Sequence, residues 1–162
     1  IRLQPEVVRI YPVVVLRGSA LEALYRRGKY HPLPLGKAVL LTAWMKKRFD
    51  GHGIGVVRMG LQPTPELTRS LVAGPFHPAF GELVKSRLML GQVRRTLAAV
   101  PAGTAVRLMI SDRDQSLFRG QKKANIHRLQ QLGLNSRYVL HTDPVQPRWT
   151  LRVCPVKSSA GT

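Results

Sequence analysis

Apolar residues fall in short runs near the amino end and at helical spacing through the middle of the chain. Val7 to Leu16, VVRIYPVVVL, is β-branched and aromatic enough to predict a strand, with Pro12 asking for an edge position, a bulge or a strand that begins after it. Arg17-Gly18-Ser19 closes the run. Ser19 and Glu22 then form the Ser-x-x-Glu signature of a capped helix over 20–27, ended by Gly28. Beyond the stiff connector His31-Pro32-Leu33-Pro34-Leu35, the stretch 37–49 places Val39, Leu40, Ala43 and Trp44 on one side at helical spacing, with Lys46, Lys47 and Arg48 in the last turn. Ile54, Val56, Val57 and Met59 make an apolar run closed by Gly60 and Pro63, which suits a parallel strand covered on both faces. Its carboxyl end, 58–63, is where α/β folds carry ligands. Strand, two helices and strand amount to one crossover, right-handed if the strands are parallel neighbours.

The segment Ala73 to Phe80, AGPFHPAF, is too dense in proline, glycine and aromatic residues for a passive linker. A helix is expected over 82–100, with Leu83, Val84, Leu88, Val93 and Leu97 apolar and Gly91 a place for a kink. Then come a strand over 104–110, a turn or short helix over 112–118, a helix over 121–132 closed by Gly133, and strands over 137–141 and 149–156. This part reads β-α-α-β-β. The expected division is therefore 1–80, a linking helix within 81–103, a small basic domain at 104–157 and a frayed tail at 158–162.

Composition narrows the function. A chain of 162 residues with 44% apolar content folds around one ordinary core or two small ones. Its 26 Lys and Arg against 8 Asp and Glu give a formal charge of +18, which predicts a polyanionic partner, nucleic acid first and an anionic membrane surface second. The charge is spread: 16 basic and 5 acidic residues lie in 1–100, and 10 and 3 in 101–162. No run of about 18 apolar residues suggests a membrane span, and no secretory signal is visible, so the expected setting is the cytoplasm. The first residue is Ile, and the chain reads as a piece of something longer. A single cysteine, Cys154, can make neither an internal disulfide nor a zinc or iron–sulfur site by itself, and no metal ligands are expected.

The first stretch with chemistry is Phe118 to Leu129, FRGQKKANIHRL. Gly120 leads toward a helix whose expected first turn is Gln121, Lys122 and Lys123, so free N–H groups, a helix dipole and two ammonium groups would converge on a phosphate. Arg119 and Arg128 flank the spot, and Arg94 and Arg95 on the linking helix would extend the track. The order of elements and this loop resemble the KH domain, whose GxxG loop clamps a single-stranded backbone. Leu117, Phe118 and Ile126 stand where that motif has its apolar residues. Lys123 stands in place of the second glycine, and lysine tolerates a left-handed backbone poorly, so an ordinary helix start with extra charge is the alternative.

The second is a set of strand-end motifs: Arg9-Ile10-Tyr11-Pro12, Arg17-Gly18-Ser19-x-Leu21, Gly28-x-Tyr30-x-Pro32-Leu33, Arg58-Met59-Gly60-Leu61-Gln62-Pro63 and the segment Ala73 to Phe80. From about Arg9 to Leu88 these closely resemble the C-terminal part of bacterial radical SAM proteins related to the catalytic subunit of the Elongator complex, within the superfamily of oxygen-independent coproporphyrinogen oxidase. The resemblance implies the terminal strands and helices of a partial (β/α) barrel, with S-adenosylmethionine and a [4Fe-4S] cluster serving the full-length protein. The family's CxxxCxxC motif is absent here, so no activity is expected from this chain alone. It also implies that Arg17, Arg58 and Gln62 sit at the barrel mouth, facing cofactor or substrate. His77 is a further candidate there; a packed histidine between Phe76 and Pro78 is the competing reading.

The resulting expectation is an α/β chain, the end of a radical SAM barrel followed by a KH-like basic domain, holding RNA such as tRNA for modification by the cluster-bearing remainder. The alternatives are a non-catalytic nucleic-acid-binding module, or a fragment of a radical SAM enzyme acting on a small molecule such as a tetrapyrrole.

Overall fold

The computed structural model describes residues 2–155 and is a mixed α/β structure that divides into two compact units, one ending at Val84 and the other beginning at Lys85. The expected final strand residue, Val156, and the tail at 158–162 lie outside the described residues.

In the first unit the run at 7–16 becomes two strands in different sheets. β1, Val7–Ile10, pairs in parallel with β3, Gly55–Met59, while β2, Val15–Leu16, pairs antiparallel with β4, Leu71–Ala73. Pro12, which has no N–H for a ladder, lies in the break. Helix α1, Ala20–Arg26, starts as expected: Ser19 Oγ accepts the Glu22 N–H at 3.1 Å. The Glu22 carboxylate reaches one residue further back than a standard capping box and accepts from Gly18 N at 2.6 Å. Gly28, at φ +67°, turns the chain out.

Helix α2, Leu35–Asp50, buries only part of the face expected: Ala43 is buried and Val39 half-buried, but Leu40 and Trp44 are not. Ala38, Thr42 and Ala43 are buried, while Leu40, Leu41 and Trp44 are exposed and Arg48 stacks 5.4 Å from the Trp44 ring centroid. Short side chains at 38, 42 and 43 leave room for close approach to neighbouring backbone, which the larger residues do not. The expectation of a β3 covered on both faces is also corrected. Among the described residues β1 is its only ladder partner, and Val57 stays 58% exposed. After β3, Gly60 at φ +85° carries the chain past Phe80, and a short helix α3, Pro65–Ser70, precedes β4. This helix was missed, although its signal is plain: Thr64 caps the Leu67 N–H at 3.2 Å and Pro65 takes the first turn.

Helix α4, Phe80–Ala98, runs without a break through Gly91, and the boundary between the units falls within it. In the second unit, β5, Val106–Ser111, is the central strand of a three-stranded sheet, parallel to β6, Tyr138–Asp143, and antiparallel to β7, Leu151–Pro155. Between β5 and β6 lie α5, Gln115–Arg119, and α6, Ala124–Gln131. The core joins Met89, Leu90, Val93 and Leu97 of α4 to Val106, Leu108 and Ile110 of β5 and to Phe118 and Leu129. Arg137 donates from Nη2 to the carbonyls of Val100 and Pro101 at 2.8 and 2.9 Å, giving the chain leaving α4 two of its acceptors' partners.

Candidate nucleic-acid interface

The loop between α5 and α6 is built from backbone conformations that most side chains avoid. Gly120 has φ +73° and ψ 162°, and Lys122 and Lys123 both have positive φ, 50° and 60°. Helix α6 therefore begins at Ala124 and not at Gln121, so Gln121 to Lys123 form a separate tight turn, closed by a Lys123 N–H to Gly120 O bond of 3.0 Å. The alternative, an ordinary helix start because lysine tolerates the left-handed region poorly, does not hold: Lys123 occupies that region at the motif's second-glycine position. Left-handed backbone at a non-glycine residue costs roughly 1–2 kcal/mol and persists only where its surroundings hold it.

Those surroundings are a buried polar clasp. Asn125, at the start of α6, donates from Nδ2 to Ser86 O at 3.0 Å, to Ser86 Oγ at 2.9 Å and to Leu117 O at 3.0 Å. Ser86 Oγ in turn donates to Leu117 O at 2.9 Å. The Leu117 carbonyl lies in the last turn of α5, where helix carbonyls lack intrahelical partners, so the clasp satisfies it and ties α4, α5 and α6 together. Gly120 is enclosed by the same groups. A Cβ there would lie 3.0 Å from Asn125 N and 3.2 Å from Ser86 Oγ.

Beside the loop is a groove of about 450 Å³ lined by Phe118, Ile126, Tyr138 and Leu140, with Arg119, Lys123 and Asn135 at its polar edge. Tyr138 packs edge-on against Phe118 at 5.7 Å between ring centroids, and burial pushes its phenol above the ordinary value, so it stays neutral and able to donate. An apolar floor with cations along one edge can take a flat apolar group joined to an anion.

The expected site residues are brought together in part. Arg119 and Lys123 line the groove, and Gly120, Gln121 and Lys122 lie in the adjoining turn. Arg119 Nη2 also donates to Gln115 at 3.3 Å, and Arg128, exposed on α6, donates to Gln131 at 3.1 Å. Arg94 and Arg95 are exposed on α4 and do not line the groove. In the first unit, Arg58 Nη1 donates to Gln62 Oε1 at 2.7 Å, joining two of the expected residues at the carboxyl end of β3. Arg9 is the register partner of Arg58 across the parallel pair and places a second cation at that strand end. Arg17 is exposed after β2, and its backbone N–H donates to Ser70 O at 2.7 Å. His77 lies at the entrance to α4, where its Nδ1 accepts the Ala79 N–H at 3.1 Å.

Sequence reading passed over Ser86, Asn125 and Arg9 as site residues. For Asn125 the signal was a polar, amide-bearing residue two positions beyond Lys123 on the inward face of α6; for Arg9 it was its place near the end of a predicted strand. Ser86 carried no signal, because its role depends on a contact across 39 positions in sequence.

A mixed α/β protein with a parallel strand pair in its first unit and a basic loop and groove in its second is the class these units define. Residues 5–89 match the radical SAM C-terminal domain family, and the chain belongs to that family. No curated protein and no solved structure matches the chain. The family implies S-adenosylmethionine and a [4Fe-4S] cluster for the whole protein, but the residues present here do not fit the cluster. No group of three or more His, Cys, Asp or Glu side chains among the described residues is placed to hold a metal ion. Cys154, the only cysteine, lies on β7 opposite Arg107 of β5. Among the described residues no helix is long and apolar enough to cross a membrane.

Proposed function

We propose that this chain is the C-terminal region of an Elongator-related radical SAM enzyme and that its second unit, a KH-like domain, holds RNA such as tRNA for modification. The radical chemistry then belongs to cluster-bearing residues outside this chain. The observation that carries the reading is the pair of lysines, Lys122 and Lys123, kept at positive φ beside Gly120 on the edge of an apolar groove. Strain of this kind recurs at ligand clamps, and here it sets two exposed lysines side by side in the turn, Lys123 on the groove itself. The +18 charge supplies the long-range attraction such a clamp needs.

The test is binding of fluorescent tRNA, and of a single-stranded RNA of equal charge, across a salt series, with Lys122→Glu/Lys123→Glu as control. The reading expects tighter tRNA binding that the double variant loses, with the slope of log affinity against log salt falling by about 0.7 for each single-strand phosphate contact removed. Affinity indifferent to the double variant would sink it.

A second reading, a small-molecule substrate at the strand ends of the first unit, is favoured by one observation. Arg9 and Arg58 are register partners, and the Arg58 guanidinium is held by Gln62. Arginines on paired residues at one strand end suit a substrate carboxylate.

A further inference from the structure

We propose that Trp149 is a nucleobase-stacking residue, a second contact for single-stranded RNA on the same unit as the Gly120 loop; this rests on the reading that the unit holds RNA. Trp149 lies in the turn between β6 and β7 with φ +67°, a backbone conformation that a bulky side chain adopts only when it is held there. The holding group is Asp114. Its fully buried carboxylate accepts the Trp149 N–H at 2.6 Å on Oδ2 and the Arg148 Nε–H at 3.0 Å on Oδ1. The rest of the turn is fixed as firmly. Gln146 donates from Nε2 to Met109 O at 2.8 Å and to Thr150 O at 3.0 Å, and Thr150 Oγ1 donates to Pro147 O at 2.6 Å.

All this rigidity serves a ring that does not enter the core. Trp149 remains 43% exposed, with Lys85 Nζ and the Arg148 guanidinium carbon each 4.8 Å from the ring centroid. Two cations lie over this rigid, part-exposed ring, a grouping suited to a sequence-tolerant single-strand contact: a base takes a cation's place on the ring, and the displaced cation meets the phosphate beside it. The same elements support both contacts. Lys85, over the ring, is followed by Ser86, which clasps the loop, and Asp114 directly precedes α5, which runs into Gly120. Charge selects the occupant. Residues 101–162 carry 10 basic and 3 acidic side chains, so a polyanion with π-faces fits this surface.

The experiment uses the full chain in a Trp44→Phe background, which leaves Trp149 as the only tryptophan, and titrates it with a single-stranded RNA 12-mer and with polyphosphate. Stacking predicts that RNA quenches the Trp149 emission and that polyphosphate, which has charge but no bases, does not. Trp149→Leu, checked for an unchanged melting temperature, is expected to weaken RNA binding by between about 5-fold and about 150-fold, with Trp149→Phe retaining most of it and polyphosphate affinity unaltered. If Trp149→Leu binds RNA as the parent does while Lys122→Glu/Lys123→Glu does not, the stacking role is wrong and the loop reading stands. Quenching equal for RNA and polyphosphate also rejects stacking, and no RNA binding by the parent chain rejects both.

Discussion

Asn125 Nδ2 lies 2.9 Å from Ser86 Oγ, a contact that fixes the start of α6 against α4 and leaves Gly120 no room for a side chain. The amide has two hydrogens for three nearby acceptors, so the clasp is over-supplied with acceptors rather than short of them. Asn125→Ala should therefore destabilise the second unit by about 1–3 kcal/mol, since it strips donors from buried carbonyls. Ser86→Ala should cost less, because Asn125 still reaches the Leu117 carbonyl. Urea unfolding of the two variants checks the order; equal midpoints would mean that the clasp acts as a single unit through Ser86.

Lys123→Gly separates strain from binding. At φ +60° the substitution relieves roughly 1–2 kcal/mol of backbone strain, and the extra freedom of the unfolded glycine offsets about half of that or more. Stability should rise by up to about 1 kcal/mol while RNA affinity falls. A variant that is both less stable and fully competent for RNA would show that the lysine is there for packing.

The sequence carried most of the element order and less of the surface. Ser19, Glu22 and Gly28 marked α1 because capping is local chemistry, and the β-α-α-β-β order of the second unit followed from periodicity and glycine placement. Which side of α2 would be buried was legible only in part, at Val39 and Ala43. Leu40 and Trp44 are the larger apolar residues, yet the fold buries Ala38 and Thr42, a choice made by how closely the helix packs against its surroundings. The loop at 120–123 was recognisable as basic and glycine-led. Its geometry was not, because the clasp that enforces left-handed lysines comes from α4, almost forty positions upstream.

Glu22 gives the first unit an acid-sensitive joint. The Arg26 guanidinium, bonded to the carboxylate at 2.6 Å, and then the Gly18 N–H lower its pKa below the ordinary 4.5, against the opposing effect of burial. A carboxylate whose folded pKa is depressed contributes stability that is present above the unfolded value and lost as pH falls through the folded one. The difference in unfolding midpoint between the parent and Glu22→Gln should thus be constant above 4.5 and shrink progressively below it. Urea titrations stepped from about pH 6 to about pH 3 measure this; a difference that widens toward acid would reverse the sign argued here.

Gly60 and Gly28 both have positive φ, +85° and +67°, but they differ in what surrounds them. A Cβ at Gly28 meets nothing within 4 Å, so Gly28→Ala should cost only the conformational penalty, roughly 1 kcal/mol. At Gly60 the same atom would sit 2.6 Å from the Phe80 Cβ, inside contact distance of a buried ring that cannot swing away from its own backbone. Gly60→Ala adds overpacking to the conformational term and should cost about 3 kcal/mol or more. The double variant Gly60→Ala/Phe80→Ala tells the two apart, because shortening Phe80 leaves its Cβ in place. If the clash is with that Cβ, the pair should be no better than the sum of its parts; a rescue would locate the conflict in the ring atoms, which lie 3.0 Å away. The distinction matters for the strand end, since Gly60 N donates to Ile10 O at 2.9 Å and so sets the spacing of the β1 and β3 termini that carry Arg9 and Arg58.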